Sequence, residues 1–346
     1  MTFKKSLLLL AMSGAMLTAC SEQKDSAQGH ATPASQQSQS ADTSPVKATE
    51  STRANQLFDE IFDEGVARSP MMQTYLGIKK DYGKWDDISE QNVAKELDFS
   101  KQALVRIQSI DTAKLDSQTL ISYNLLKQNL ENEISDHQWR FHTYPVNQMF
   151  GIHSQVPAFL INQHSISNVQ QAQDYISRVQ GSKKLMQQLV EQLKQREQLG
   201  IIAPKFVFKH VIRDSNNILM GAPFEQGGDS TLLADFMSKI NKLTLTEQQK
   251  QQLGKDIKSA LIDSLKPGYQ GLVAYLTELE GKADNRDGAW KFPQGEAFFN
   301  NALKRTTTTD LTSTQIHQIG LEEVQRIHSE MRGIMEKVGF ELVKPN

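Results

Sequence analysis

Apolar residues recur along this chain at three- and four-residue steps, a period that predicts helix nearly everywhere. Leu57, Phe58, Ile61, Phe62 and Val66 make one stripe, which ends at Ser69-Pro70. Val93, Leu97, Leu104 and Ile107 make a second, and Leu120, Tyr123, Leu126, Leu130 and Ile134 a third between about Gln118 and Arg140. The longest runs from Asn168 to Leu199 on Val169, Ala172, Ile176, Val179, Met186, Leu189 and Leu193. Ser167 and Gln170 have capping-box spacing at its start, and Gly200 suits a left-handed stop at its end. Thr246 with Gln249, and Thr312 with Gln315, repeat the start signal. Strand signals are confined to Phe206-Val207-Phe208 and Val211-Ile212. Irregular backbone is expected over Tyr144 to Pro157, Ile201 to Gly228 and Gly281 to Gly295, where Pro, Gly and aromatics gather. The expected fold class is all-α, a multi-helix body spanning residues 53–346.

The first fifty residues break this pattern. Lys4 and Lys5 precede an apolar run from Ser6 to Met16, too short for a permanent membrane span but laid out as a secretion signal. It closes on Leu17-Thr18-Ala19-Cys20, which looks like the lipobox of bacterial lipoproteins. Residues 1–19 then read as the signal peptide and Cys20 as the lipidation site, anchoring the chain to a lipid bilayer. Ser21 in place of an aspartate points to the outer membrane, facing the periplasm, by the Gram-negative sorting convention. From Ser21 to Thr52, 21 of 32 residues are Ser, Thr, Gln or Ala, so residues 20–52 read as a disordered linker. Cys20 is the single cysteine, which leaves no internal disulfide. A net charge of −2 with no basic cluster argues against nucleic acid as a partner.

Familiar catalytic motifs are missing. The chain has no G-x-S-x-G elbow, no glycine-rich nucleotide loop and no H-E-x-x-H. His317 and His328 lie eleven residues apart on one expected helix face, about 16 Å along the axis. Two ligands of one zinc must each come within about 2.1 Å of it, so this pair cannot share a metal. They read either as the ends of a packing seam with Leu321, Val324 and Met331, or, for His317, as a lining residue of a cleft. Glu133 and His137, four residues apart, read as a surface ion pair or as a carboxylate–histidine pair of metal ligands that lacks a third ligand nearby in sequence. His153 and His164 flank a segment holding Asn147, Gln148 and Gly151, which suits substrate recognition and loop stabilisation equally. Convergence of His153, His210 and an acidic residue through the fold stays open at this level.

Ser69-Pro70, Thr74-Tyr75-Leu76-Gly77, Trp85-Asp86-Asp87, Pro145-Val146-Asn147-Gln148 with Gly151, Tyr175-Ile176-Ser177-Arg178-Val179, and Ile316-His317-Gln318-Ile319-Gly320-Leu321 continuing through Val324, Arg326-Ile327 and Glu330-Met331 follow one another along the chain. Taken together and in this order, they resemble the bacterial family called domain of unknown function 885. The agreement runs from about Ala54 to Phe340. The resemblance implies a helical, zincin-like fold similar to carboxypeptidase Taq, and zinc as the cofactor of the full-length protein. The family's presumed metal element, of H-E-x-x-x-G-H type, lies beyond the histidine-glycine-leucine helix near the end of this chain. No metal ligand can therefore be carried over to any position here, and no cofactor is expected in this chain. The chain is expected to be the N-terminal half of an envelope metallopeptidase-like hydrolase, with a peptide as candidate substrate. The other reading is a non-catalytic periplasmic helical module that binds a peptide or protein. Asn147, Gln148 and His317 are the substrate-binding candidates.

Overall fold

A computed structural model describes residues 49–340. Cys20, the signal sequence and the segment from Ser21 to Val46 lie outside the described residues. Among the described residues the secondary structure is helical, and the only strand-like pairings are two isolated bridges, Val146 with Gly151 and Ala222 with Asp229. No described helix is long and apolar enough to cross a membrane. The backbone divides into two compact units, one containing residues 49–69 and 94–135, the other residues 70–93 and 136–340.

The first unit is built on α1 (Glu50–Arg68), most of α3 (Glu90–Gln108) and α4 (Ser117–Asp136). Helix α1 starts three residues ahead of the expected boundary at Arg53. The Thr49 hydroxyl accepts the Thr52 N–H at 3.1 Å, and the Glu50 carboxylate accepts from Arg53 and from the Asp111 N–H. Those bonds hold the Glu50 carboxyl down at about 2. The core is Ala54, Ile61, Ala103, Ile107, Ile110, Tyr123 and Leu130. Ile61, Ile107, Tyr123 and Leu130 lie on the expected stripes, whereas Ala54, Ala103 and Ile110 do not, and Leu57, Phe58, Leu104, Leu120 and Leu126 pack around this core partly buried.

The second unit is organised on α6 (Val169–Gln198), which packs against α5 (Ile152–Asn162), α9 (Glu247–Ala260) and α10 (Lys266–Lys282). Helices α7 (Lys205–Asn217) and α8 (Thr231–Asn241) both pack against α5, α7 also meeting α10 and α8 meeting α9. Short α2 (Pro70–Tyr75) opens the unit, and α11 (Gly295–Thr307) and α12 (Ser313–Lys337) close it. Between α9 and α10, Leu261–Leu265 forms a single π turn, with the Lys266 N–H donating to the Leu261 carbonyl. Pro267 explains its place: in a regular α-helix the ring would press on the carbonyl four residues back and leave it without a donor.

Both expected capping boxes, at Thr246 and Thr312, form as read, and Gly200 adopts φ +74°. The start of α6 moves one residue: the Asn168 side chain accepts the Gln171 N–H, and Gln171 reaches back to the Ser167 N–H. The two strand candidates lie inside α7, because Val207, Phe208, Val211 and Ser215 recur on one buried helix face. The irregular segment from Tyr144 ends at Gly151, where α5 begins. Helix α12 buries none of its residues, so Leu321, Val324 and Met331 are exposed rather than packed in a seam.

Candidate functional site

Four of the segments singled out in the sequence meet around one side chain. Arg178, on the inner face of α6, is fully buried. Its Nε donates to the Lys84 carbonyl at 3.0 Å, and Nη2 donates to Thr74 Oγ1 at 2.6 Å and to the Pro70 carbonyl at 3.4 Å. Nη1 meets His164 Nδ1 at 3.0 Å, while the other ring nitrogen of His164 faces the Gln171 carbonyl at 3.0 Å. That carbonyl can only accept, so Nε2 carries the proton and the neutral ring offers its lone pair to the arginine. The guanidinium lies over the rings of Phe159 (4.7 Å), Tyr82 (5.1 Å) and Trp85 (5.6 Å), and the Trp85 indole donates to the Arg178 carbonyl at 2.7 Å. Burial pushes the guanidinium down to about 10 and the His164 ring down to about 3. The arginine thus ties α2 and residues 76–89 to α5 and α6.

On the outer side of this clamp, α2 and α5 border a groove of about 220 Å³, lined by Met71, Tyr75, Gln155, Ala158, Phe159, Asn162 and Gln163. Tyr75 stands edge-on to Phe159, with ring centroids 5.3 Å apart. No charged side chain lines it. The reason is written in the chain: from Phe141 to Gln173, 33 consecutive residues carry no Asp, Glu, Lys or Arg, although such residues make up 23% of the whole. Helix α5 lies inside that run.

The substrate-binding candidates do not converge in this groove. Asn147 shapes the turn before α5, its Oδ1 accepting the N–H groups of Met149 and Phe150, each at 2.8 Å. Gln148 is exposed on the same turn, whose tip bares Met149 and Phe150. His317 and His328 are exposed on α12. His153 is buried on α5, its Nδ1 without a partner and its carbonyl accepting the Tyr269 hydroxyl at 2.6 Å. His210 is half-buried on α7, and no group of three His, Cys, Asp or Glu among the described residues is placed to hold a metal. Both ring nitrogens of His164 are already engaged. Zinc, implied by the resemblance, does not fit the described residues. Sequence reasoning missed the groove and the role of Arg178. The uncharged run was the signal for the first, and nothing local marks an arginine as buried.

Residues 70–345 match the model of a family described as a bacterial protein of unknown function, DUF885. The match begins at Pro70, the first residue of α2, rather than near Ala54. The fold is similar to that of a candidate lipoprotein from Colwellia psychrerythraea, with a TM-score of 0.64 and 22% identity over 86% of this chain and 53% of that one. It is also similar to a candidate lipoprotein of unknown function from Shewanella oneidensis, with a TM-score of 0.60 and 16% identity over 87% of this chain and 50% of that one. This chain therefore spans about half the length of either neighbour. No curated protein matches it.

Proposed function

We propose, from the premise that this chain belongs to the DUF885 family of bacterial proteins, that it is an envelope lipoprotein whose helical body grips a peptide for a metallopeptidase-like hydrolase. The observation that carries the reading is the α2–α5 groove: an uncharged, aromatic-floored channel held rigid from behind by Arg178. Peptide units need donors and acceptors at the rim and an apolar surface for a side chain, and the groove supplies both. Hydrolytic zinc would be held by residues other than those described, so no metal step is assigned to this chain. Filling the groove with Ala158→Trp should weaken capture of fluorescein-labelled oxidised insulin B chain by about tenfold in fluorescence polarisation. Equal capture by both proteins would remove the groove from the reading.

The absence of a three-ligand group among the described residues favours a second reading, a binding module without turnover of its own. Purified chain is expected to hold no stoichiometric zinc and to cleave no peptide, as judged by elemental analysis and a parallel hydrolysis assay. Stoichiometric zinc with chelator-sensitive turnover would sink that expectation, since a hydrolytic site needs about three protein ligands and an open position.

The lipid anchor is tested at Cys20. Mass spectrometry of membrane-extracted protein should find an acylated Cys20 as the first residue, and Cys20→Ala should release the protein into the soluble fraction. A mature protein starting elsewhere would rule the anchor out. With acylation shown, cell fractionation would then test the outer-membrane position that Ser21 suggests.

A further inference from the structure

We infer that the α2–α5 groove selects an extended, uncharged peptide segment of three residues, centred on an aromatic or large aliphatic side chain; this rests on the peptide-gripping reading above. The first support is the state of its rim. The side-chain carboxamides of Gln155, Asn162 and Gln163 make no hydrogen bond to any described residue, and all three side chains are exposed. Each carboxamide presents a donor pair and an acceptor, the complement of a peptide unit.

The second support is spacing. Gln155 and Asn162 lie seven residues apart on one face of α5, about 10.5 Å along the axis. An extended chain rises about 3.3 Å per residue, so the two carboxamides bracket three residues of ligand. Between them lies Ala158, whose methyl leaves the middle of the groove open. A central side chain entering there would meet Phe159 on the floor and Tyr75 on the wall. Phe159 is itself fixed under the Arg178 guanidinium, and the Tyr75 ring is braced edge-on against it. At about 220 Å³ the space falls below the roughly 300–1,000 Å³ of sites that enclose a whole small molecule, which suits a single side chain.

Electrostatics sets the class. A charged central residue would lose water in a groove whose lining residues are all neutral. A cation would in addition face the Arg178 charge behind the Phe159 ring, whereas for an anion that charge, already engaged by four acceptors, offsets only part of the lost hydration.

The test is isothermal titration calorimetry of the full chain with three tripeptides blocked as N-acetyl amides: glycine-phenylalanine-glycine and its lysine- and glutamate-centred analogues. Tri-N-acetylglucosamine serves as a neutral sugar that could also use amides and an aromatic wall. The phenylalanine peptide should bind about tenfold or more tightly than either charged analogue. The double variant Gln155→Ala/Asn162→Ala should weaken it by about tenfold, because two exposed hydrogen-bonding groups are lost without touching the core. Ala158→Trp should abolish binding, and if its circular dichroism departs from that of the parent, the double alanine variant decides alone. Equal binding of the three peptides, sensitive to these variants, would overturn the selection while leaving the gripping of peptides intact. Tighter, variant-sensitive binding of the sugar would overturn it in favour of a glycan. If neither the tripeptides nor insulin B chain binds, the inference and the reading beneath it both fall.

Discussion

Replacing Arg178 by methionine is expected to destabilise the unit of residues 70–93 and 136–340 by about 2–5 kcal/mol, read from the urea midpoint. Two opposing effects set the size. Methionine relieves the cost of a buried cation, and a guanidinium pushed down to about 10 puts that cost at about 3 kcal/mol. Against this, four hydrogen bonds from a charged donor are lost at once, to the carbonyls of Lys84 and Pro70, to Thr74 Oγ1 and to His164 Nδ1, although the Thr74 hydroxyl still donates to the Pro70 carbonyl at 3.0 Å. Each hydrogen bond from a charged donor contributes about 1.5–3 kcal/mol, and the Lys84 carbonyl and His164 Nδ1 are left without that donor, so the losses exceed the relief. A smaller side chain would add a cavity among Tyr82, Trp85 and Phe159. Arg178→Lys should fall between the two, because one ammonium cannot span four acceptors that a planar fork reaches. An unfolding midpoint unchanged in Arg178→Met would show that α2 is held by other means.

The second large effect is a loss of stability in mild acid. Burial, the main cause, holds His164 down at about 3, well below the roughly 6.5 of a histidine in the unfolded chain. The Arg178 charge pushes the same way. As pH falls below about 6.5 the unfolded chain takes up a proton that the folded one refuses, so stability drops continuously toward pH 3. Between pH 7 and 4.5 the loss from this ring is about 2–3 kcal/mol. His153, lowered by burial, acts in the same direction. Carboxylates such as Asp87 and Glu50, held at about 2, contribute mainly below about pH 5, so most of the loss between about pH 7 and 5 belongs to the histidines. Urea unfolding across pH 7.5 to 4.5 should show a slope that flattens in His164→Asn. Identical slopes in the two proteins would mean that His164 is not the group being protonated.

Helices announced themselves through period and caps. Thr246 with Gln249 and Thr312 with Gln315 have the chemistry of a start written in the residues themselves, and both form. The error of one residue at Ser167 arose because Asn168 is an equally good cap and Gln171 serves the backbone behind it. Phe206-Val207-Phe208 misled because aromatic and β-branched residues favour strands locally, whereas the buried face of α7 is set by partners distant in sequence. The site was less legible. Arg178 was visible only as part of a recognisable segment, since its burial depends on Thr74, Lys84 and His164, elements up to 104 residues away. His317, Leu321 and Val324 had the spacing of a packed face, but periodicity says which residues share a face and nothing about what meets it.

The π turn at Leu261–Leu265 also settles how the two helices beside it can act as one wall. From Leu253 to Leu279 the buried positions span 26 residues, and a regular α-helix would end such a run about 80° out of step. One extra residue taken up in the wide turn sets the phase back by about 100°, which nearly cancels that drift. Leu253 and Ile257 before the turn therefore look toward the same core as Leu272, Leu276 and Leu279 after it. Counted straight through, the period would assign the second helix to the wrong face. Closing the turn to a regular α-helix with every residue kept would rotate everything downstream by about 100°, carrying Tyr269 and its bond to the His153 carbonyl out of the core, whereas deleting one residue together with the turn would keep both halves in phase.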